Sequence, residues 1–265
     1  MIRLIHKIKK MKKFLVLATL IATTMISGCA FAGNNEFGSG KKVVKAEGAT
    51  VKKTLNLPEF TNVEVAEFIG NITYTDSSAA KVVITGPENV VGVIKTEVKN
   101  GKLTIGVKDG YRVRLQKNRK MQIAISSKTL AQVEADFVGN FSATRLSGTN
   151  VEVENNGVGN LSIKAISAQK ADIEVNGVGK VNISGIATDL LNAECNGVGD
   201  ITLSGNTKRA SLECNGVGSM HADKLKCGTA NVTATGVGGV TVWVDGKSTV
   251  DRSGIGNVKI LGQNK

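Results

Sequence analysis

The sequence is poor in the residues that build helical enzymes and metal centres. Among 265 residues there are only 2 Pro, 2 His and 1 Trp, and aromatic side chains make up 4% of the chain, whereas Gly occurs 31 times. The four Cys residues form neither a C-x-x-C motif nor a zinc-ligand spacing. This composition disfavours a helical enzyme and favours a chain that turns often and always in the same way.

The formal net charge of +12 overstates the basicity of the exported part of the chain. Residues 1–28 contain six Lys or Arg residues and no acidic residue. Without these six, 28 of the 34 basic residues remain, against 22 acidic ones. Such a modest excess, without aromatic residues interleaved among the basic ones, gives little support to nucleic-acid binding.

An export signal is predicted over residues 1–28. Two lysines precede the apolar run Phe14–Ala22, which is typical of the charged and apolar regions of a secretory signal. The run is too short to span a bilayer comfortably, and no later segment is apolar enough to do so.

Two cleavage sites are compatible with this signal. Ile26–Cys29 resembles a lipobox and predicts a bacterial lipoprotein that is lipid-modified on Cys29. The small residues of Ala30–Ala32 instead fit ordinary signal peptidase, which would release a secreted protein without Cys29. In the first case residues 29–50, rich in Gly, Asn and Lys, form a flexible tether with a reach of roughly 25 Å.

A four-residue motif, Asn-Gly-Val-Gly in four of its six copies, recurs through the second half of the chain, and we call it the Gly-Val-Gly motif. Its copies begin at residues 156, 176, 196, 215, 235 and 253, which gives a period of roughly 20 residues. The segments between copies, such as Ala171–Val175, alternate apolar and polar residues, which is typical of half-buried strands. Strands this short bury apolar surface only by stacking, so we predict an all-β fold, a parallel β-solenoid over residues 51–262. Residues 133–262 are expected to form regular repeats and residues 51–132 less regular coils.

Stacking places equivalent residues about 4.8 Å apart and creates columns of side chains. We predict three apolar columns that line the interior. They are Val158, Val178, Val198, Val217, Val237 and Ile255; Leu161, Val181, Ile201, Met220, Val240 and Val258; and Ile163, Ile183, Leu203, Ala222, Val242 and Ile260. Cys195 and Cys214 are expected at equivalent inward positions, and whether they form a disulfide stays open. The Gly and Asn residues of the motif are expected to form a structural corner.

Several motifs resemble the head GIN domain family of autotransporter-type adhesins (DUF2807). Phe68–Ile72, Lys102–Ile105 and Phe137–Asn140 carry the resemblance together with the later Gly-Val-Gly series, over roughly residues 55–260. It implies a right-handed, single-stranded parallel β-helix of the pectin-lyase type and a role in adhesion. It carries over no catalytic residues, because members of the family are not known to share a catalytic constellation.

Two surface features are candidate contact sites. An acidic column on an outward face could bind a ligand or, through carboxylate oxygens, a cation such as Ca²⁺. Like charges about 4.8 Å apart repel, so raised pKa values, splayed side chains or a cation must relieve the column. The acidic face comprises Glu134, Glu152, Glu154, Asp172, Glu174, Glu194 and Glu213. The second candidate is a protruding basic loop that contains Arg112, Arg114, Lys117, Arg119 and Lys120.

These features predict a non-enzymatic lipoprotein of the cell envelope that acts in adhesion or presents ligands, without a cofactor or metal. The expected location is the outer membrane or cell surface, with a periplasm-facing orientation as the alternative. The expected partners are the membrane, through the lipid anchor, and a glycan or cell-surface protein, and the oligomeric state stays open. Two alternatives are a polysaccharide-acting lyase or hydrolase, because the solenoid fold also hosts such enzymes, and a self-assembling structural or envelope-stress module.

Overall fold

The structure, a computed structural model, describes residues 40–116 and 118–262, which form twenty strands and one short helix. The predicted signal segment and Cys29 lie outside the described residues. The first nine strands and the helix are β1 (Lys42–Lys45), β2 (Thr50–Asn56), β3 (Asn62–Ile69), β4 (Asn71–Asp76), β5 (Lys81–Pro87), α1 (Glu88–Val91), β6 (Ile94–Lys99), β7 (Lys102–Val107), β8 (Tyr111–Arg114) and β9 (Gln122–Ser127).

The remaining strands form the repeat. They are β10 (Gln132–Val138), β11 (Phe141–Ala143), β12 (Leu146–Asn155), β13 (Leu161–Ile163), β14 (Ile166–Val175), β15 (Val181–Cys195), β16 (Ile201–Cys214), β17 (Met220–Ala234), β18 (Val240–Val244), β19 (Ser248–Arg252) and β20 (Val258–Leu261). From β10 to β18, each pairs in parallel with a strand one coil further on, and the partners are about 20 residues apart, as for Glu154 and Glu174. This confirms the predicted parallel β-solenoid.

Each regular coil has three sides, which are clearest in the coil that starts at Ala171. Side A corresponds to Ala171–Val175, side B to Val181–Ile183 and side C to Ile186–Thr188. Alternate residues on each side point inward and are buried. The Gly-Val-Gly motif 176–179 forms the corner between sides A and B, as predicted for a structural corner.

The interior is lined by two of the three predicted apolar columns. The columns headed by Leu161 and Ile163 are buried through Val240 and Val242, with relative exposures of 0–2%. The prediction that the Val of each motif lines the interior is wrong, because Val198 and Val217 are 50% and 51% exposed. The alternation of side A continues into the motif, so Gly157 takes the inward position and Val158 the outward one.

Backbone from adjacent coils fills the space beneath this corner. A Cβ atom on Gly157 would lie 2.0 Å from the carbonyl oxygen of Phe137, and one on Gly177 would lie 2.0 Å from that of Gly157. The second glycine of the motif also has a positive φ, 141° at Gly159. Residues other than Gly rarely adopt such a φ. The Gly residues of the motif therefore permit the close stacking of the coils.

The coils at the N-terminal end do not stack in sequence order. Strand β3 pairs in parallel with both β7 and β10, and β4 pairs with both β9 and β11. The coil formed by β7 and β9 therefore comes later in the sequence than the coil formed by β3 and β4, but it stacks on the N-terminal side of that coil. Strands β5 and β6 run antiparallel to β9 and β7, and β2 runs antiparallel to β5. These antiparallel strands close this end of the stack.

A separate two-stranded sheet forms where the sequence predicted a tether and a loop. Strand β1 pairs in parallel with β8, with Lys42 opposite Tyr111 and Lys45 opposite Arg114. The structure thus differs from a flexible tether over all of residues 29–50 and from a protruding loop at Tyr111–Arg114. Strand β1 carries two Val between its lysines, and β8 carries Val113 between its arginines. Pairing of the two segments satisfies backbone groups that neither could satisfy alone.

Candidate functional site

The predicted acidic column lies on side A and is longer than the sequence indicated. Its members pair directly in successive coils, and Glu64 of β3 adds a member before Glu134. The column is partly withdrawn from solvent, since Glu154 is only 6% exposed. The complete column is Glu64, Glu134, Glu154, Glu174, Glu194 and Glu213.

A ladder of Asn amides stabilises the carboxylates of this column. In the coil of Glu194, Nδ2 of Asn196 donates to Oε1 of Glu194 at 2.8 Å and to Oδ1 of Asn176 in the preceding coil at 3.0 Å. The same pattern recurs with Asn176 and Asn215. Donation from the amides offsets part of the repulsion between carboxylates, and this source of relief was not predicted from the sequence.

A lysine lies at the N-terminal end of the column. Nζ of Lys102 forms ion pairs with Glu64 and, at 3.3 Å, with Glu134. Burial by itself lowers the pKa of Lys102, but the hydrogen bonds and charges of Glu64 and Glu134 outweigh this effect and raise it. The ammonium group is therefore held in its charged form against two carboxylates.

The two further acidic residues of this face are also engaged by neighbours. Oε2 of Glu152 accepts a hydrogen bond from Nε2 of Gln132 at 2.9 Å, and Asp172 pairs with Lys170 at 2.7 Å. Within the described residues, no group of three or more His, Cys, Asp or Glu side chains is arranged to hold a metal ion. The acidic face is a polar ladder whose carboxylates are bound by amides and lysines.

The predicted basic segment is divided between a strand and its continuation. Arg112 and Arg114 lie on β8 and are exposed, as is Lys120. Arg119 instead binds the fold, since its Nη1 donates to the carbonyl oxygen of Gly48 at 2.9 Å. Lys117 lies outside the described residues.

Side C carries a shallow cleft, lined by both polar side chains and apolar surface, that was not predicted from the sequence. Its volume is about 500 Å³, and residues of successive coils contribute to its walls. The lining residues are Ala168, Ala187, Thr188, Asp189, Asn206, Thr207, Lys208, Lys226, Gly228 and Asp245. It extends over five coils, a length of about 19 Å at the inter-strand spacing. Side C is where the repeat is least regular: Gly205, with a φ of 128°, pairs with Ile186 across a register shift.

The polar groups of this cleft are held in place by specific contacts. Lys208 and Asp189 form an ion pair at 2.8 Å, and the hydroxyl groups of Thr188 and Thr207 lie 3.0 Å apart. Oδ1 of Asp245 accepts a hydrogen bond from Nε1 of Trp243 at 2.8 Å. Trp243 is 38% exposed and lies next to Asp245, which lines one end of the cleft.

The three Cys residues in the described part of the chain are buried free thiols. Cys195 and Cys214 pair in adjacent coils at the predicted inward position. The hydrogen bond with Cys214, together with burial, raises the pKa of Cys195, and burial raises the pKa of Cys227 to about 12. All three thiols pack as small core residues.

The fold and these surfaces define a parallel β-solenoid with regular columns of side chains on its faces. The chain belongs to the family described as "Putative auto-transporter adhesin, head GIN domain", whose sequence profile matches residues 59–191 and 163–264. Membership of this family points to an exported or cell-surface protein. A search of curated proteins found no matching relative. The described residues contain no helix with the length and apolar character needed to cross a bilayer.

Several solved structures have a similar fold. A "putative adhesin" from Bacteroides fragilis is 25% identical, with a TM-score of 0.57, and the match covers 82% of this chain and 100% of that one. A "putative adhesin" from Parabacteroides distasonis is 22% identical, with a TM-score of 0.66, over 83% and 100% of the two chains. A "putative lipid binding protein" from the same species is 19% identical, with a TM-score of 0.67 and the same coverage.

Proposed function

We propose that this protein is a non-enzymatic, lipid-anchored adhesin that binds an extended glycan along the cleft of side C. The observation that carries the proposal is the cleft itself, which residues of five coils line over about 19 Å and in which Asn206 and Lys226 are exposed. Glycans are bound by shallow polar surfaces, because their hydroxyl groups pair with carboxylates and amides while a ring packs against an aromatic face. Trp243 provides such a face next to Asp245.

The acidic face of side A is less suited to this role. Its carboxylates already accept hydrogen bonds from the Asn ladder and from Gln132, so a ligand would have to displace internal contacts. We assign that face to coil stacking, with ligand contact as a secondary role.

A glycan array tests the proposal. We expect the exported chain to bind a subset of glycans, and Asn206→Ala combined with Asp245→Asn to weaken binding about tenfold or more, through the loss of direct hydrogen bonds. Asn231→Ala is the matched control, because Asn231 is also an exposed Asn but lies on side A. An array without any specific signal would contradict a glycan-binding role and leave a protein as the adhesion partner.

Of the two alternatives, an enzyme has a specific observation in its favour. Two carboxylates and two lysines, Asp189, Asp245, Lys208 and Lys226, line the same cleft, and carboxylate pairs serve glycosidases. Against catalysis, Asp189 is paired with Lys208 and Asp245 is bound by Trp243. Incubation with any glycan found on the array should leave its chain length unchanged, whereas shortened products would favour the enzyme. For self-assembly, head-to-tail growth needs two free ends, and antiparallel strands cover the N-terminal one.

The lipid anchor is tested independently of the ligand. We expect the wild-type protein to fractionate with membranes and to incorporate a labelled fatty acid, whereas Cys29→Ala should lose both properties because the acylated side chain is absent. Cys227→Ala is the control, since its thiol is buried. If the wild-type protein incorporates no label, or if Cys29→Ala retains it, Cys29 is not the lipidation site.

A further inference from the structure

A continuous apolar stripe runs along the outside of the solenoid at the corner between sides A and B. Parallel bridges join its consecutive members from Val138 to Ile255, and Val138 also pairs with Ile69. At a spacing of about 4.8 Å, the stripe is about 34 Å long. We call it the valine stripe; its members are Ile69, Val138, Val158, Val178, Val198, Val217, Val237 and Ile255.

Few large apolar side chains are exposed in this structure, and most of those that are exposed lie in this stripe. Of the ten large apolar side chains that are most exposed in the described residues, seven belong to the valine stripe. Contiguous exposed apolar surface on a soluble domain marks a site of interaction, whereas scattered residues do not. Polar residues border the stripe on both sides, Asn140 and Asn160 on one and Asn176 and Asn196 on the other.

One end of the stripe continues into a basic surface. We call β1 and β8 together the cationic sheet, because Lys42, Lys45, Arg112 and Arg114 are exposed on it and neither strand has an acidic residue. No ion pair within the described part of the chain involves these four residues. A cleft of about 260 Å³ joins the two surfaces. Its lining residues are Val43, Ile69, Arg112, Val113, Arg114 and Leu115.

We propose that the valine stripe and the cationic sheet form a membrane-contact edge that lies against an anionic lipid bilayer. The apolar side chains would enter the interface between headgroups and acyl chains, and the four cations would meet the anionic headgroups. The asymmetry of the surface fits this partner: the cationic sheet at one end of the apolar line has no acidic residue, whereas Lys180 and Asp200 beside the stripe offset each other.

Two other occupants fit less well. An extended peptide would need free backbone groups, but the coils already use them at this corner, where the Val158 nitrogen donates to Phe137 and the Gly159 nitrogen to Val178. A second copy of the chain would bury a single column of side chains on each partner. That is far less than the roughly 800 Å² per partner of a stable interface.

The edge also agrees with the place where the chain enters the fold. β1 is the first described strand and Val43 lines the cleft at the end of the stripe, while Cys29 precedes Lys41 by only twelve residues. In a three-sided coil, the corner between sides A and B lies opposite side C. With the stripe on the bilayer, the cleft of side C therefore faces away from it. The inference goes beyond the proposed function and requires neither the lipid nor a glycan.

Vesicle binding by the exported chain without its lipid tests the proposal. We expect the chain from residue 29 onward, carrying Cys29→Ala, to co-sediment with vesicles of phosphatidylcholine and phosphatidylglycerol in equal parts. Binding to vesicles of phosphatidylcholine alone should be at least tenfold weaker, and added salt should weaken the binding to the anionic vesicles. An absence of binding to the anionic vesicles would overturn the proposal.

Two groups of variants separate the apolar from the ionic contribution. Val178→Ser, Val198→Ser and Val217→Ser combined should weaken binding about tenfold, as should Arg112→Gln with Arg114→Gln. The controls are Val250→Ser, an apolar residue that is 45% exposed but lies off the stripe, and Lys52→Gln with Lys53→Gln, two exposed lysines on β2. Equal losses in the variants and their controls would overturn the proposal.

A fluorescence reporter measures contact with the bilayer directly. Trp243 is the only Trp in the chain, so Val198→Trp in a Trp243→Phe background places the sole indole on the stripe. Its emission should shift to the blue when anionic vesicles are added, while that of Trp243 in the parent protein should not. An unchanged emission at position 198 would contradict membrane contact. So would a protein that does not bind vesicles but forms a dimer that the Val→Ser variants abolish.

Discussion

Replacing Gly177 with Ala is expected to lower the free energy of unfolding by about 4 kcal/mol, at the upper end of single-residue effects. The added Cβ would lie 2.0 Å from the carbonyl oxygen of Gly157, which is itself the acceptor for the Val178 nitrogen at 3.0 Å. Two coils must separate at the corner to admit one methyl group. For a domain of this size the thermal midpoint should fall by roughly 8–16 °C.

Gly148 provides the matched control for this substitution. It belongs to the same repeat, but a Cβ there would meet only ordinary contacts, 3.4 Å from both the Cβ of Ala131 and the oxygen of Asn150. Gly148→Ala should therefore change the midpoint by no more than about 3 °C. Circular dichroism melts of both variants check the prediction, and similar midpoints for the two would show that close coil stacking does not depend on Gly177.

The same corner explains what the sequence could and could not predict. The period of roughly 20 residues and the alternation between motifs suffice to predict the solenoid and two of its interior columns. The orientation of Val158 was predicted incorrectly because the sequence does not reveal that backbone fills the space under Gly157. An inward Gly looks like a gap in a column, so the neighbouring Val was assigned to the interior.

The N-terminal end and the cleft were beyond sequence reasoning for a different reason. The position of β7 outside β3 depends on long-range pairing, and the alternation of β3 is equally compatible with either neighbour. Likewise, β1 and β8 pair with each other although the strands of the first coils lie between them in the sequence. The cleft of side C arises from small residues and register shifts in successive coils, such as that between Ile183 and Ile186, which leave no periodic signal.

The acidic column shows how a surface that looks functional can be structural. Its regularity predicts repulsion between stacked carboxylates, relieved by raised pKa values, splayed side chains or a cation. The solution in the structure lies two residues further along each coil, where Asn196 and its equivalents donate to the carboxylates. The Asn of the motif therefore links adjacent coils and holds the neighbouring Glu, while the Gly residues allow the coils to approach.

Replacing Asn196 with Ala is accordingly expected to destabilise the protein by about 2–3 kcal/mol, since it removes three side-chain hydrogen bonds. Asn196 donates to Glu194 and Asn176, and accepts from Asn215 at 3.1 Å. The loss should be larger at low ionic strength, where repulsion between the stacked carboxylates is least screened. Unfolding of Asn196→Ala at low and high salt measures it, with Asn231→Ala, an exposed Asn on the same side, as the control.

A double-mutant cycle with Glu194→Gln shows whether the amide acts through the carboxylate. In the Asn196→Ala background, removing the charge of Glu194 should restore about 1 kcal/mol, because the unrelieved repulsion with Glu174 and Glu213 disappears. In the wild-type background the same change should be close to neutral or mildly destabilising, since it weakens a charge-assisted hydrogen bond. Strictly additive effects would mean that the Asn ladder stabilises the stack without relieving the repulsion in the acidic column. A bound cation would then be the better explanation for how the stacked carboxylates are accommodated.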